Sequence, residues 1–181
     1  MMITVPTPIN EKARLEKLHQ LMVLDTPPEA IFDEIVKLVS QVCAAPIALI
    51  SLVDANRQWF KANVGLESVK ETHRDLAFST IANLDNQMIE VSDASLDARF
   101  SDSPFVTAYP HIRFYAGVPL KMPSGENIGS ICIIGQEPKT LTLYQKGILL
   151  GLANIVVQAL IHRAALLEFN NMNDSSVLKK V

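Results

Sequence analysis

The sequence predicts an α/β fold of the α+β kind, with helices at both ends and an antiparallel sheet between them. Three observations carry that reading. Apolar residues recur at helical spacing over residues 10–43, and they do so again over 142–169. The stretches 46–64 and 112–134 each read as two short strands joined by a turn. At 181 residues, the chain has the length of one ordinary domain with a well-buried core. That domain is expected over 10–169, with an extension at 1–9 and a polar tail at 170–181.

Asn10 stands as a capping residue before Glu11-Lys12-Ala13-Arg14-Leu15, and Leu15, Leu18, Leu21 and Met22 form the apolar side of a first helix. It closes near Asp25-Thr26-Pro27-Pro28. A second helix starts at Thr26 or the prolines, carries Glu29 in its first turn and ends near Cys43. Its buried side is expected to hold Ile31, Phe32, Ile35, Leu38, Val39 and Val42.

Pro46 opens the continuous apolar run Ile47-Ala48-Leu49-Ile50-Ser51-Leu52-Val53, which suits a central strand covered on both faces. After the turn Asp54-Ala55-Asn56-Arg57, strict alternation puts Trp59, Lys61 and Asn63 on one face and Phe60, Ala62 and Val64 on the other. The pattern then weakens: a short helix at 76–83, a short strand at 88–91 and a polar connection at 93–102. Ordered irregular segments of this length are more often functional than decorative.

A second hairpin follows, its strands at 112–120 and 128–134 joined by Met122-Pro123-Ser124-Gly125, which fits a type I turn. The last helix, 142–169, is apolar around much of its circumference, with Leu150, Val157, Ile161 and Ala165 added to a stripe through Leu149, Leu152, Val156 and Leu160. One stripe suffices to bury a helix against a sheet, so a second partner is expected. The polar stretch 170–176 is expected to end the helix, with no further domain after it.

Composition excludes several function classes. A net charge of -3, drawn from interspersed acidic and basic residues, offers no stripe to track a phosphate backbone, so no nucleic-acid partner is expected. Cys43 and Cys132 lie in apolar surroundings, without a CxxC, and read as buried thiols of a reducing compartment. The first ten residues lack the basic and apolar regions of a signal peptide. The apolar stretches 44–53 and 148–161 read as too short or too interrupted to span a membrane. The expected location is the cytoplasm.

In the strand at 112–120, alternation turns Ile112, Phe114, Ala116, Val118 and Leu120 toward the helices, and Arg113, Tyr115, Gly117 and Pro119 the other way. This second face sets a guanidinium and a phenol beside a residue without a side chain, and a strand glycine often marks close approach of a ligand or another backbone. Arg113 either holds an anionic ligand through its planar fork or pairs with Asp93 or Asp97 to pin the long loop. Trp59, on one face with Lys61, is either a ligand platform or a core plug. Phe78 and Ser79 open the short helix, where Ser79 offers a hydroxyl without the GxSxG context of a nucleophile. Asp93, Asp97 and Asp102 match no calcium-loop spacing, and His19, His73, His111 and His162 match no zinc motif. No catalytic or metal constellation emerges, and the candidate ligand-binding set is Trp59, Lys61, Phe78, Ser79, Asp93, Asp97, Arg113, Tyr115 and Gly117.

Taken in order, the segments Asn10-Glu11, Arg14-Leu15, Leu24-Asp25-Thr26-Pro27-Pro28-Glu29, Phe32-Asp33, Pro46 through Asp54, Arg57-Gln58-Trp59-Phe60-Lys61, Asp97-Ala98-Arg99-Phe100 and Ile112 through Leu120 resemble the GAF domain family of bacterial signalling proteins. The resemblance implies a central antiparallel sheet with the terminal helices on one face and a ligand pocket under irregular loops on the other. It further implies a homodimer formed through those helices, with a kinase or cyclase as signalling partner. Ser79-Thr80-Ile81 stands where relatives of this subtype often carry a Cys and a His, so no bilin or metal chemistry is implied there and the cofactor is unknown. The expected function is small-molecule sensing without catalysis. The alternatives are a thiol-dependent small-molecule reductase and a ligand-free dimerisation module.

Overall fold

A computed structural model of the chain describes residues 10–66, 68–74, 78 and 87–178. Helices α1 (Glu11–Gln20) and α2 (Ala30–Cys43) lead into the hairpin of β1 (Ile47–Val53) and β2 (Arg57–Val64). Then come the short strands β3 (Glu71–His73) and β4 (Ile89–Val91), one turn of helix α3 (Pro104–Thr107), the hairpin of β5 (Phe114–Lys121) and β6 (Asn127–Gly135), and the long helix α4 (Leu143–Leu178). The six strands form one antiparallel sheet in the order β3-β2-β1-β6-β5-β4. The α+β class and both hairpins agree with the sequence reading. The turn between β5 and β6 closes with the Gly125 amide donating to Met122 O at 2.8 Å. Strand β3 and helix α3 fall in stretches where the sequence shows no regular pattern.

Each face of the sheet has its own apolar core. On one side Ala48, Ile50, Leu52, Phe114, Ala116, Val118 and Leu120 pack against α1, α2 and α4. On the other, Ile47, Leu49, Tyr115, Cys132 and Ile134 meet Phe78, Phe100, Val106 and Ile112 from the irregular segments. This is why β1 reads as a continuous apolar run: all seven of its residues are buried, alternately on the two sides.

Three details of the helices differ from expectation. In α2, Ile31 and Leu38 are exposed and Val36 is buried, because the stripe that meets the sheet runs through Phe32, Ile35, Val36 and Val39. Helix α4 continues through the polar stretch 170–176 to Leu178, since that stretch contains neither Gly nor Pro and each further residue propagates an existing helix. Leu143–Asn173 is long and apolar enough to cross a membrane by length and composition, so the sequence reading underrated this stretch. Its residues Leu149, Leu152, Ala153, Val156, Val157, Leu160 and Ala164 are packed on the sheet, while Leu150, Ile155, Leu166 and Phe169 are exposed.

Two ion clusters bind α1, α4 and the connecting loop to the sheet. Arg14 is almost fully buried, with its guanidinium donating to both Glu11 carboxylate oxygens at 2.8 Å and to Val53 O. Arg74 reaches the same carboxylate at 2.6 Å. Burial pushes the Glu11 carboxyl up, but the two arginines outweigh it and hold the group down at about 2. In the second cluster, Lys61 of β2 donates to Thr26 Oγ1 at 3.0 Å, Pro27 O at 2.9 Å and Glu29 Oε1 at 2.6 Å, while Arg163 of α4 donates to the same Glu29 oxygen at 2.7 Å. One carboxylate therefore joins the sheet to the long helix.

Candidate functional site

The face of the sheet away from the helices carries a cavity of about 160 Å³. Ile47 and Leu49 of β1, Phe60 of β2, Cys132 and Ile134 of β6 and Tyr115 of β5 form its sheet wall. Leu66, Val69, Phe78, Phe105 and Ile112 enclose it from the irregular segments. Gln58 and Thr72 are its polar edge, joined by a long hydrogen bond from Thr72 Oγ1 to Gln58 Oε1 at 3.4 Å. Phe78 stacks on Phe100 with ring centroids 4.3 Å apart and meets Tyr115 at 5.2 Å.

Of the candidate set, the structure brings Phe78 and Tyr115 to this cavity. Ser79 and most of the expected short helix at 76–83 lie outside the described residues. Trp59 and Lys61 are on the opposite face: Trp59 pairs with Leu52, which meets the helices, and Lys61 shares its phase. Ser51 pairs with Phe60 and its neighbour Ile50 pairs with Ala62, so Lys61 is an extra residue on β2 and the alternation restarts there. Ala62 and Val64 consequently pack with the helices beside Trp59, and of these residues and Phe60 only Phe60 faces the cavity. The side chain of Lys61 is fully buried, with its ammonium 5.3 Å from the Phe32 ring and 6.0 Å from the Trp59 ring.

Arg113 pairs with neither Asp93 nor Asp97. It is half-buried and donates to Val106 O and Ile112 O, both at 3.0 Å, so it ties α3 to the start of β5 through backbone carbonyls. Asp97 pairs with Arg99 at 2.7 Å, and Asp93 accepts from the Ser95 amide and hydroxyl; both shape turns of the loop and neither lines the cavity. Ile112 also changes sides. His111 before it has φ of 58°, which breaks the alternation ahead of β5 and sends Ile112 to the cavity.

Gly117 does mark a close approach, though of a side chain. A Cβ placed on it would lie 2.4 Å from the Tyr115 hydroxyl, so the missing side chain is what allows the phenol to lie flat along the strand. That hydroxyl is buried and has no hydrogen-bond partner. Cys132 and Ser130 are its polar neighbours but do not present hydrogen-bond geometry. Ser130 is instead paired with Ser51, hydroxyl to hydroxyl, at 3.2 Å.

The wall residues Ile47, Leu49, Phe60, Cys132 and Ile134 were not in the candidate set. The phase of Tyr115, carried across the β5–β6 and β1–β6 registers, would have found all but Phe60, because Tyr115 and Gly117 pair with Ile134 and Cys132, and these with Ile47 and Leu49. Leu66, Val69 and Phe105 come from segments with no periodicity to read.

Both thiols are sealed. Cys43 is fully buried on the helix side, and burial raises its thiol against the weaker opposing pull of Lys139. Cys132 is almost fully buried at the cavity wall, and burial pushes its thiol up to about 12. Ellman's reagent at pH 8 is expected to label neither cysteine in the folded protein and both in denaturant. Rapid native labelling of Cys132 would return the thiol-dependent reductase to consideration. Among the described residues no group of three or more His, Cys, Asp or Glu side chains is placed to hold a metal ion.

A six-stranded antiparallel sheet, covered by helices on one face and holding an apolar cavity on the other, has the architecture of a signalling sensor domain. Residues 27–160 match the sequence model of the GAF domain, and the chain belongs to that family. A cyclic di-GMP phosphodiesterase of Pseudomonas aeruginosa is 43% identical over 138 residues, which cover 76% of this chain but 23% of that protein. The GAF domain of a phosphoenolpyruvate-protein phosphotransferase from Acinetobacter superposes with a TM-score of 0.63 at 17% identity, covering 85% of this chain and 96% of that one. A type II free methionine-R-sulfoxide reductase from Thermoplasma acidophilum does so with a TM-score of 0.59 at 14% identity, covering 81% and 94%. At such identities the structural likenesses speak for the fold alone.

Proposed function

We propose that the domain senses a small molecule in the cavity between the sheet and the irregular segments, and that it does so without chemistry of its own. The observation that carries this reading is the cavity itself: about 160 Å³, apolar and walled by rigid strands. The absence of an accessible thiol supports a binding role over a thiol-dependent reductase. Exposed Ile31 and Leu38 on α2, with Leu150, Ile155, Leu166 and Phe169 on α4, support pairing with a second copy through the helices. The signal then passes to a signalling enzyme, a class to which the cyclic di-GMP phosphodiesterase of P. aeruginosa belongs.

A ligand can shift such a domain only by binding its arrangements unequally, so real occupancy of the cavity is the first requirement. Native mass spectrometry of freshly purified protein, followed by melting across a metabolite panel, tests it. A true ligand at about a hundredfold excess over its Kd is expected to raise Tm by roughly 5–10 °C in a domain of this size. No bound molecule and no rise with any compound would leave a ligand-free dimerisation module.

A further inference from the structure

We infer that the cavity takes an uncharged, compact and mostly apolar molecule, of about the size of a single aromatic ring with a short substituent, carrying one oxygen acceptor that receives the Tyr115 hydroxyl. The inference rests on the sensing role proposed above and specifies what is sensed.

Four observations converge on that class. Among the described residues the cavity wall contains no charged side chain: Arg113 is turned to backbone carbonyls, and Lys61 is on the other side of the sheet. An ionic ligand would lose its hydration there without a counter-charge, at a cost no neutral hydrogen bond repays. Second, the volume is small. A dry apolar cavity of roughly 150 Å³ accepts benzene, so about 160 Å³ suits one ring and excludes a nucleotide.

Third, the wall offers flat aromatic surface, with Phe78 held against Phe100 and Tyr115 tilted beside it. Fourth, the Tyr115 hydroxyl is buried and without a partner, a condition that folded proteins seldom leave uncompensated. It sits where Gly117 leaves room for it, next to Cys132 of the cavity wall. Ser51 and Ser130 face each other at 3.2 Å, and neither stands in hydrogen-bond geometry with the phenol. A ligand oxygen supplies the missing acceptor, and the apolar wall holds the rest of the molecule.

Three probes of similar shape separate the contributions: acetophenone, which has a carbonyl acceptor; ethylbenzene, which has none; and benzoate, which is charged. Titration calorimetry on the whole chain is expected to rank acetophenone first, ethylbenzene roughly three- to tenfold weaker, and benzoate without binding. In Tyr115→Phe the advantage of acetophenone over ethylbenzene is expected to vanish while ethylbenzene binds as before. The variant also removes an unpaired buried hydroxyl, so its Tm without ligand is expected to equal or exceed that of the parent, which shows that it folds.

Benzoate binding as tightly as acetophenone would overturn the inference, as would an acetophenone preference that survives Tyr115→Phe. Failure of both neutral probes, while the metabolite panel still yields a ligand, would overturn the ligand class and leave the sensing role standing. Failure of every compound in both experiments would remove the sensing role itself.

Discussion

Gly129→Ala is expected to destabilise the domain by more than about 3 kcal/mol, or to prevent folding at 37 °C. A Cβ at this position would lie 2.0 Å from Ser51 O and 2.9 Å from Leu52 Cα, both backbone atoms of the adjacent strand. No side chain can turn away to relieve that contact. The only response is to separate β1 from β6, the two central strands, whose register runs from Ile47 with Ile134 to Leu52 with Gly129. Chemical denaturation would measure the loss. A variant within 1 kcal/mol of the parent, on the order of an ordinary surface substitution, would mean that the strands can part at little cost.

Glu29→Ala is expected to cost about 3 kcal/mol, at the lower end for a broken buried pair because this carboxylate is 35% exposed. The loss arises from Lys61, whose side chain is fully buried and would keep only the neutral acceptors Thr26 Oγ1 and Pro27 O. Lys61→Met should cost clearly less, since it removes the buried charge and leaves Glu29 paired with Arg163. Equal losses in the two variants would refute this ordering.

The same carboxylates set the acid limit of stability. Burial raises Glu29, but Lys61 and Arg163 outweigh it and hold the group below its ordinary value, as Arg14 and Arg74 do for Glu11. A depressed carboxyl contributes fully above its unfolded value, near 4.5, and its contribution is lost as pH falls through the folded value, about 2 for Glu11. The denaturation midpoint of the parent should therefore fall steadily below pH 4.5, and that of Glu29→Ala should fall less.

The fold was largely legible because its signals are periodic. A continuous apolar run announced β1, turn residues announced both hairpins, and helical spacing announced α1, α2 and α4. The site was less legible, and two departures from the expected faces share a cause. Alternation is a counting rule, so one extra residue reverses every assignment beyond it. The bulge at Lys61 turned Ala62 and Val64 to the helix side, and the left-handed backbone at His111 sent Ile112 to the cavity. The bulge has no sequence mark as clear as Gly or Pro, whereas Pro110 stands directly before His111. The face of Tyr115 was read correctly because no bulge separates it from Gly117 along β5. Arg113 shows a different limit: its spacing suggested a carboxylate, but the partners it found were carbonyl oxygens, which every residue carries and no motif reveals.

Helix α4 has 36 residues and a length of roughly 54 Å at 1.5 Å per residue. Its packing on the sheet ends near Ala164, one residue beyond the Arg163 contact with Glu29. The following turns to Leu178 extend about 20 Å past that support, so the helix is a lever pinned at Arg163, which donates to Glu29 Oε1, Leu21 O and Met22 O. A tilt of about 3° at Arg163 moves the far end by roughly 1 Å over that arm. Lys61, on the other side of the fulcrum, is next in sequence to Phe60 of the cavity wall. The lever's short arm thus begins one residue from the cavity.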